Sequence, residues 1–222
     1  MHYTLRFRDI WLSYDFFVEG IVYTLVLSVL AMVMAFILGT VVAVAKGSKI
    51  KAVNFIAVTY VEIFRNTPLI IQIWLFYFGI GEIGIQIPAF TCGLLALTLN
   101  TTAYTAEILR AGFESIDKEL IEAAVSLGMT PWQIKKTVIF PLGFRAILPA
   151  LCNMSIQCLL GSSVISILGV NELTNQAMRL SSKTFRVFEA FITIAVLYII
   201  LTFCYSCFFG LVHKKMDKGT LH

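Results

Sequence analysis

Long apolar runs alternate with short polar joints along the whole chain. Five runs stand out, at about 16–45, 52–80, 89–109, 144–168 and 187–212. Each reaches the roughly 20 residues that a helix needs to cross a hydrocarbon core about 30 Å thick. The pattern predicts an all-α, polytopic membrane protein with about five transmembrane helices. The second run is longer than a span requires and carries Glu62, Arg65 and Pro68. Its first half is therefore expected to lie obliquely near the interface, which keeps Arg65 out of the midplane.

The polar stretch at about 113–143, FESIDKELIEAAVSLGMTPWQIKKTVIFPLG, interrupts this pattern. Asp117 reads as an N-cap, with Glu119 and Glu122 near the positive end of a short helix. Ala123 and Ala124 keep one face of that helix thin, and Gly128 suits its C-terminal stop. Thr130, Pro131 and Gln133 make a second start signal, because threonine caps, proline takes the first helical position and glutamine closes a capping box. Pro141 is expected to end this second helix before the next span. Two short helices at a sharp angle would form a rigid knob, suited either to a groove on another protein or to a plain interfacial connection.

Composition supports the membrane reading: 59% of the 222 residues are hydrophobic, 14% are charged, and the mean hydropathy is +0.86. Soluble domains run at about 45–50% apolar and about 25% charged. One membrane domain over 1–222 is expected, with no room for a separate soluble one. The start of the chain shows no cleavable signal pattern. The net charge of +4 is small, and the basic residues gather at span ends, which reads as topology rather than a nucleic-acid surface. Eleven lysines and arginines fall in the 1–2 loop, the 3–4 loop and the C-terminal stretch. Five (Arg6, Arg8, Arg179, Lys183 and Arg186) fall on the other side. The positive-inside rule then puts the 3–4 loop and the C-terminus in the cytoplasm and the N-terminus outside. The five cysteines lie within apolar stretches without metal-ligand spacing and read as packing residues, so no metal site is expected.

The loop residues carry a resemblance. EAAVSLG followed by VIFP resembles the EAA loop of ATP-binding cassette importer permeases, whose pattern is EAA, three residues, Gly, nine residues, Ile, any residue, Leu, Pro. Glu122, Ala123, Ala124, Gly128 and Pro141 match in register, while Val138 and Phe140 stand for the isoleucine and leucine. FRNTPLIIQIWLFYFG at 64–79 and LTLNTTAYTAEILRAG at 97–112 are similar to segments of the polar amino acid subfamily. The likeness covers nearly the whole chain from about residue 16. It implies a type I importer permease in the bacterial inner membrane, with no enzymatic site and no cofactor of its own. It also implies a second permease (the same or a related chain), a cytoplasmic ATPase dimer that binds the ATP, and an extracytoplasmic solute-binding protein. The 3–4 loop would then couple to the ATPase through Glu122, Ala123, Ala124, Gly128 and Pro141.

Polar residues inside spans mark either a wet path or interhelical hydrogen bonds. Asn100, Tyr104 and Glu107 share one helical face. Asn153 and Gln157 share another, followed by Ser162 and Ser163, and Gln72 joins them from the second run. These are the candidate translocation-pathway residues, Glu107 excepted, for which a local ion pair with Arg110 is the readier reading. The family often carries Lys-Asp-Thr-Ser-Leu where this chain has Leu160, Gly161, Ser162, Ser163 and Val164. Both charges are missing, so either substrate is not read by charge here or the chain is the non-binding half of a heterodimer.

Other classes fare worse. No GxxxxGK(S/T) phosphate loop occurs, and neither HExxH nor a GxSxG elbow is present. An ion-coupled secondary transporter is the alternative. Against it stand the lack of an internal repeat and the scarcity of buried acids, only Glu62 and Glu107 being expected.

Overall fold

The computed structural model describes residues 4–218, and among them the chain is helical with no strand. The helices are α1 (Arg8–Trp11), α2 (Tyr14–Lys46), α3 (Lys51–Asn66), α4 (Leu69–Glu82) and α5 (Ala89–Glu114). They continue with α6 (Lys118–Ser126), α7 (Pro131–Leu168), α8 (Leu173–Thr184) and α9 (Val187–Lys218). Three of them, α2, α7 and α9, are long and apolar enough to cross a membrane alone, and the bent pair α3–α4 makes a fourth. The expected third span, α5, has the length but carries a polar face. It can do so because α2, α3, α4 and α7 surround it, so protein rather than lipid meets its polar side chains.

Small residues set how closely these helices approach. On α2 the buried stripe runs Gly20, Thr24, Ser28, Ala31, Ala35 and Gly39, at the spacing of one helical face. A Cβ on Gly39 would stand 3.0 Å from the Thr105 side chain of α5, and one on Gly112 would lie 1.9 Å from Ile147 of α7. Backbones this near gain dispersion contacts, which lipid does not supply between loosely packed helices. The opposite faces stay apolar and exposed: Val33, Ile37 and Val41 on α2, Ile199 and Phe203 on α9. Such surface belongs in hydrocarbon.

The second apolar run is not one rod. It bends by 109° between α3 and α4. Pro68 drives Thr67 into extended backbone, φ −112° and ψ 131°, and the helix cannot continue through it. The oblique first half read from the sequence is thus a separate helix.

Three other expectations need correction. Pro141 does not end the helix that begins at Pro131. A π turn over Lys135–Ile139 widens the backbone, and Pro141 then sits in the first α-turn beyond it, so the helix runs on into the fourth span. Only the first helix of the knob is short. The buried acids are also different ones: Glu62 is exposed, whereas Glu172 and Glu189 are fully buried. Finally, the helix of the third span does not stop near Leu109 but runs on to Glu114.

Glu172 explains the one substantial helix that the apolar pattern did not announce. Its carboxylate caps α8, accepting from the amides of Asn175 at 2.7 Å and Thr174 at 2.9 Å. The Tyr198 hydroxyl donates to it from α9 at 3.1 Å, and the Leu173 amide donates to Thr24 on α2. Burial pushes the Glu172 carboxyl above its ordinary range, against the pull of these donors. Glu189 does similar work for the chain's beginning, accepting from the Arg6 amide at 2.9 Å and pairing with Arg186 at 3.6 Å. Ile10 is buried among Phe17, Leu173, Leu180 and Ile194 at this end of the bundle.

The contact of α2 with α8 gives a direct test. A Cβ on Gly20 would stand 2.8 Å from the Leu173 Cα, a backbone atom that cannot swing aside. Gly20→Ala is expected to cost about 1–3 kcal/mol, the range for overpacking. The loss reads as a several-degree fall in detergent melting temperature. Gly47→Ala, whose nearest neighbour would be 3.6 Å away, should melt like the parent. Equal melting of both variants would refute the close α2–α8 packing.

Candidate functional site: a polar cleft and a protruding knob

The break between α3 and α4 leaves helix-end carbonyls without partners, a costly state away from water. Side chains from neighbouring turns take them up. The Gln72 amide donates to the carbonyls of Phe64 and Thr67, each at 2.9 Å. The Asn100 amide donates to the Phe64 carbonyl and to Gln72 Oε1, both at 3.2 Å. The Tyr104 hydroxyl donates to the Arg65 carbonyl at 3.2 Å. Gln72, Asn100 and Tyr104 therefore clamp the broken helix to α5.

Beside this clamp lies a cleft of about 680 Å³, walled by the break, by α5 and by α7. Asn100, Tyr104, Asn153 and Gln157 line it together, as does Gly161. Asn153 and Gln157 are exposed, one turn apart on α7, and neither has a hydrogen-bond partner among the described residues. They face the cleft ready to bond something else. Gln72, only 4% exposed, is not part of the lining. Nor are Ser162 and Ser163, which donate to the carbonyls of Leu159 and Leu160 at 2.7 and 2.6 Å in a 3-10 turn.

Arg65 is a lining residue to which the sequence assigned no role. Its guanidinium lies over the Tyr104 ring, 5.5 Å from the centroid, and 3.9 Å from Glu107. Glu107 does pair with Arg110, at 3.2 Å, but it also pairs with Lys46 at the end of α2. One carboxylate thus gathers three cations from three helices. Arg65 is the most loosely held of the three, and its side chain keeps 40% of its surface open. A sequence signal for this exists: Arg65 precedes the Thr67-Pro68 break by two residues, where a long side chain leaves the helix end.

The knob is built much as its residue types direct. Asp117 occupies the N-cap of α6, although its side chain makes no capping bond. The helix closes with the Gly128 amide donating to the Val125 carbonyl and the Met129 amide to that of Ala124, the two bonds of a Schellman motif. Gly128 takes φ +76°, a region open to glycine. Thr130 and Gln133 complete a reciprocal capping box. Ala124 and Ile134 point inward, while Glu122 and Ala123 are exposed. Leu127 is 81% exposed and Trp132 69%, and Leu120 and Val125 are exposed too. Pro141 is not on this face, since it belongs to the stem of α7. Among the described residues no cluster of metal ligands occurs.

The sequence matches the family described as binding-protein-dependent transport system inner membrane component over residues 35–218. A probable glutamine ABC transporter permease protein of Bacillus subtilis is 34% identical over 207 residues, 93% of this chain and 96% of that one. An arginine transport system permease protein of the same organism is 33% identical, covering 92% and 94%. Among solved structures, an amino acid ABC transporter crystallised with histidines superposes with a TM-score of 0.90 at 39% identity, covering 96% of this chain and 100% of that chain. A methionine ABC transporter in an inward-facing form shares the fold, with a TM-score of 0.68 at 21% identity and coverage of 96% and 99%. The ion-coupled alternative gains nothing from these relatives. Matched over most of its length in both sequence and fold, the chain belongs to the binding-protein-dependent transport system inner membrane components, as a permease subunit.

Proposed function

We propose that this permease carries polar amino acids and that substrate passes along the cleft between the helix break and α7. The observation that carries this reading is the pairing, in one cleft, of two unbonded amides with a loosely held cation. Every amino acid brings a carboxylate, which suits the Arg65 guanidinium. Its ammonium and side-chain polar groups suit the amides of Asn153 and Gln157, which donate and accept alike. With Leu160 and Gly161 in place of a charge pair, α7 offers no clamp for a charged side chain. Each neutral hydrogen bond contributes only about 0.5–1.5 kcal/mol net. A weak site of this kind releases what it receives, and a separate binding protein does most of the selecting. The names of the relatives, a glutamine permease, an arginine permease and an amino acid transporter, support the substrate class.

The knob supplies the drive on this reading. Its exposed apolar side chains, Leu127 and Trp132, have the character of a docking surface, and Glu122 and Ala123 are exposed on the short helix α6 as well. It seats in a groove of a cytoplasmic ATPase dimer, and closure of that dimer moves α6 and the attached α7. ATP stays with the ATPase; this chain binds none. A second permease subunit completes the path, and the N-terminus lies outside.

Three expectations follow from these assignments. Asn153→Ala and Gln157→Ala should each lower ATP-driven uptake between about twofold and tenfold, the kinetic equivalent of one hydrogen bond. Binding-protein affinity and basal ATPase activity should be unchanged. Arg65→Ala should lower uptake further, with partial recovery in Arg65→Lys. Normal uptake in all of them would move the substrate path elsewhere. Gly128→Val places a β-branched residue at positive φ, so the knob should be misplaced while the long helices stay folded. Uptake should fall at least about tenfold, and co-purification with the ATPase should fail. Unchanged uptake and unchanged co-purification would exclude the docking role. For sidedness, Ser182→Cys and Ser126→Cys are made in a cysteine-free background. An impermeant thiol reagent on intact cells should label the first and spare the second, and the reverse pattern would invert the topology.

A further inference from the structure

The turn joining α2 to α3 treats its three lysines unequally. Lys46 is held by Glu107. Lys49 and Lys51 are exposed and pair with no carboxylate among the described residues. Together with Ser48, Asn54, Phe55 and Val58 they line a second cleft, of about 630 Å³. The turn that carries them is braced. The Ile50 amide donates to Ser48 Oγ at 3.2 Å, and the Asn54 side-chain amide donates to the Lys46 carbonyl, tying α3 back to the end of α2. The two cations therefore project from a fixed platform.

Their setting is amphipathic. The apolar run of α2 stops at Lys46, so the cleft stands at the level where hydrocarbon gives way to headgroups. Next to it, Ile50, Phe55 and Ile56 are 64%, 70% and 68% exposed. A free inorganic anion would answer the lysines and leave this apolar wall bare. A molecule with a phosphate at one end and hydrocarbon at the other answers both. We infer that the cleft at the α2–α3 turn holds the headgroup of an anionic phospholipid between Lys49 and Lys51, with its acyl chains along Phe55 and Ile56. This goes beyond the transport reading, and it needs neither the substrate assignment nor the sidedness to hold.

The test uses the full chain, purified in detergent and titrated with phosphatidylglycerol or phosphatidylcholine, with bound lipid read by native mass spectrometry. The parent should bind phosphatidylglycerol in preference. The double variant Lys49→Ala/Lys51→Ala should lose about tenfold or more of that affinity, given the contribution of each lysine near an anionic surface. Lys49→Arg/Lys51→Arg should keep it, which separates charge from misfolding. Phe55→Ser should weaken both lipids while preserving the preference. Excess inorganic phosphate should displace nothing. Equal phosphatidylglycerol binding by the parent and the alanine double variant would overturn the inference, and so would full displacement by phosphate, which marks a free-anion site. If the double variant kept its lipid but lost its ATPase or second permease, the cleft would be a protein interface and the inference would fall.

Discussion

A helix that breaks inside a membrane must find partners for the carbonyls it frees, and the rest of this structure is arranged around that demand. Thr67-Pro68 frees the carbonyls of Phe64, Arg65 and Thr67. An unpaired backbone group in hydrocarbon costs several kcal/mol. Gln72, Asn100 and Tyr104 answer for all three. That answer requires a polar helix at the centre of the bundle, which is why α5 is the least lipid-like of the long helices. It also requires a cleft, because a chain bent by 109° cannot pack flush against the straight helix beside it.

The small-residue stripes serve the same demand from the other side. Bonds of 3.2 Å between the break and α5 hold only if α5 itself cannot drift. Gly39 against Thr105 fixes it to α2, and Gly112 against Ile147 fixes it to α7. Glu107 then adds an electrostatic tie between the end of α2, the break and α5. Packing sets the spacing and the ion pairs set the register. The two act together, since apolar packing against apolar lipid is weakly selective by itself.

Much of this was legible in the residues. Apolar runs located the long helices, because nothing but length and composition decides that. Thr130, Pro131, Gln133 and Gly128 announced their own conformations, because capping and positive φ are local chemistry. What escaped the sequence depends on partners far along the chain. Glu172 reads as an ordinary loop acid until Tyr198 and Thr24 are seen around it. A closer reading of Glu172 as an N-cap before a short amphipathic segment would have found α8. Pro141 looked like a terminator because proline usually is one, and only the π turn before it reverses that rule. Gln72, Asn100, Asn153 and Gln157 are chemically interchangeable on paper. The structure divides them by whether a backbone carbonyl stands within reach: the first two are bonded, the last two are open.

That division bears on how a knob at one end of the molecule and a cleft within it can belong to one device. Trp132, on the exposed face of the knob, and Gln157, in the cleft, lie on the same helix α7. They are separated by roughly 40 Å of helix at 1.5 Å per residue. A straight rod of that length would transmit a push unchanged. This one has two soft points, the π turn at Lys135–Ile139 and Pro149 within the span. Both lie between the knob and the open amides, whereas the clamped amides sit on α4 and α5. On the proposed docking of the knob, its displacement would reach Asn153 and Gln157 through these two points, while Gln72 and Asn100 are bonded at the break. The cleft thus has one wall held by side-chain hydrogen bonds to the broken helix and one wall on the helix that carries the knob, the arrangement that the proposed coupling would use.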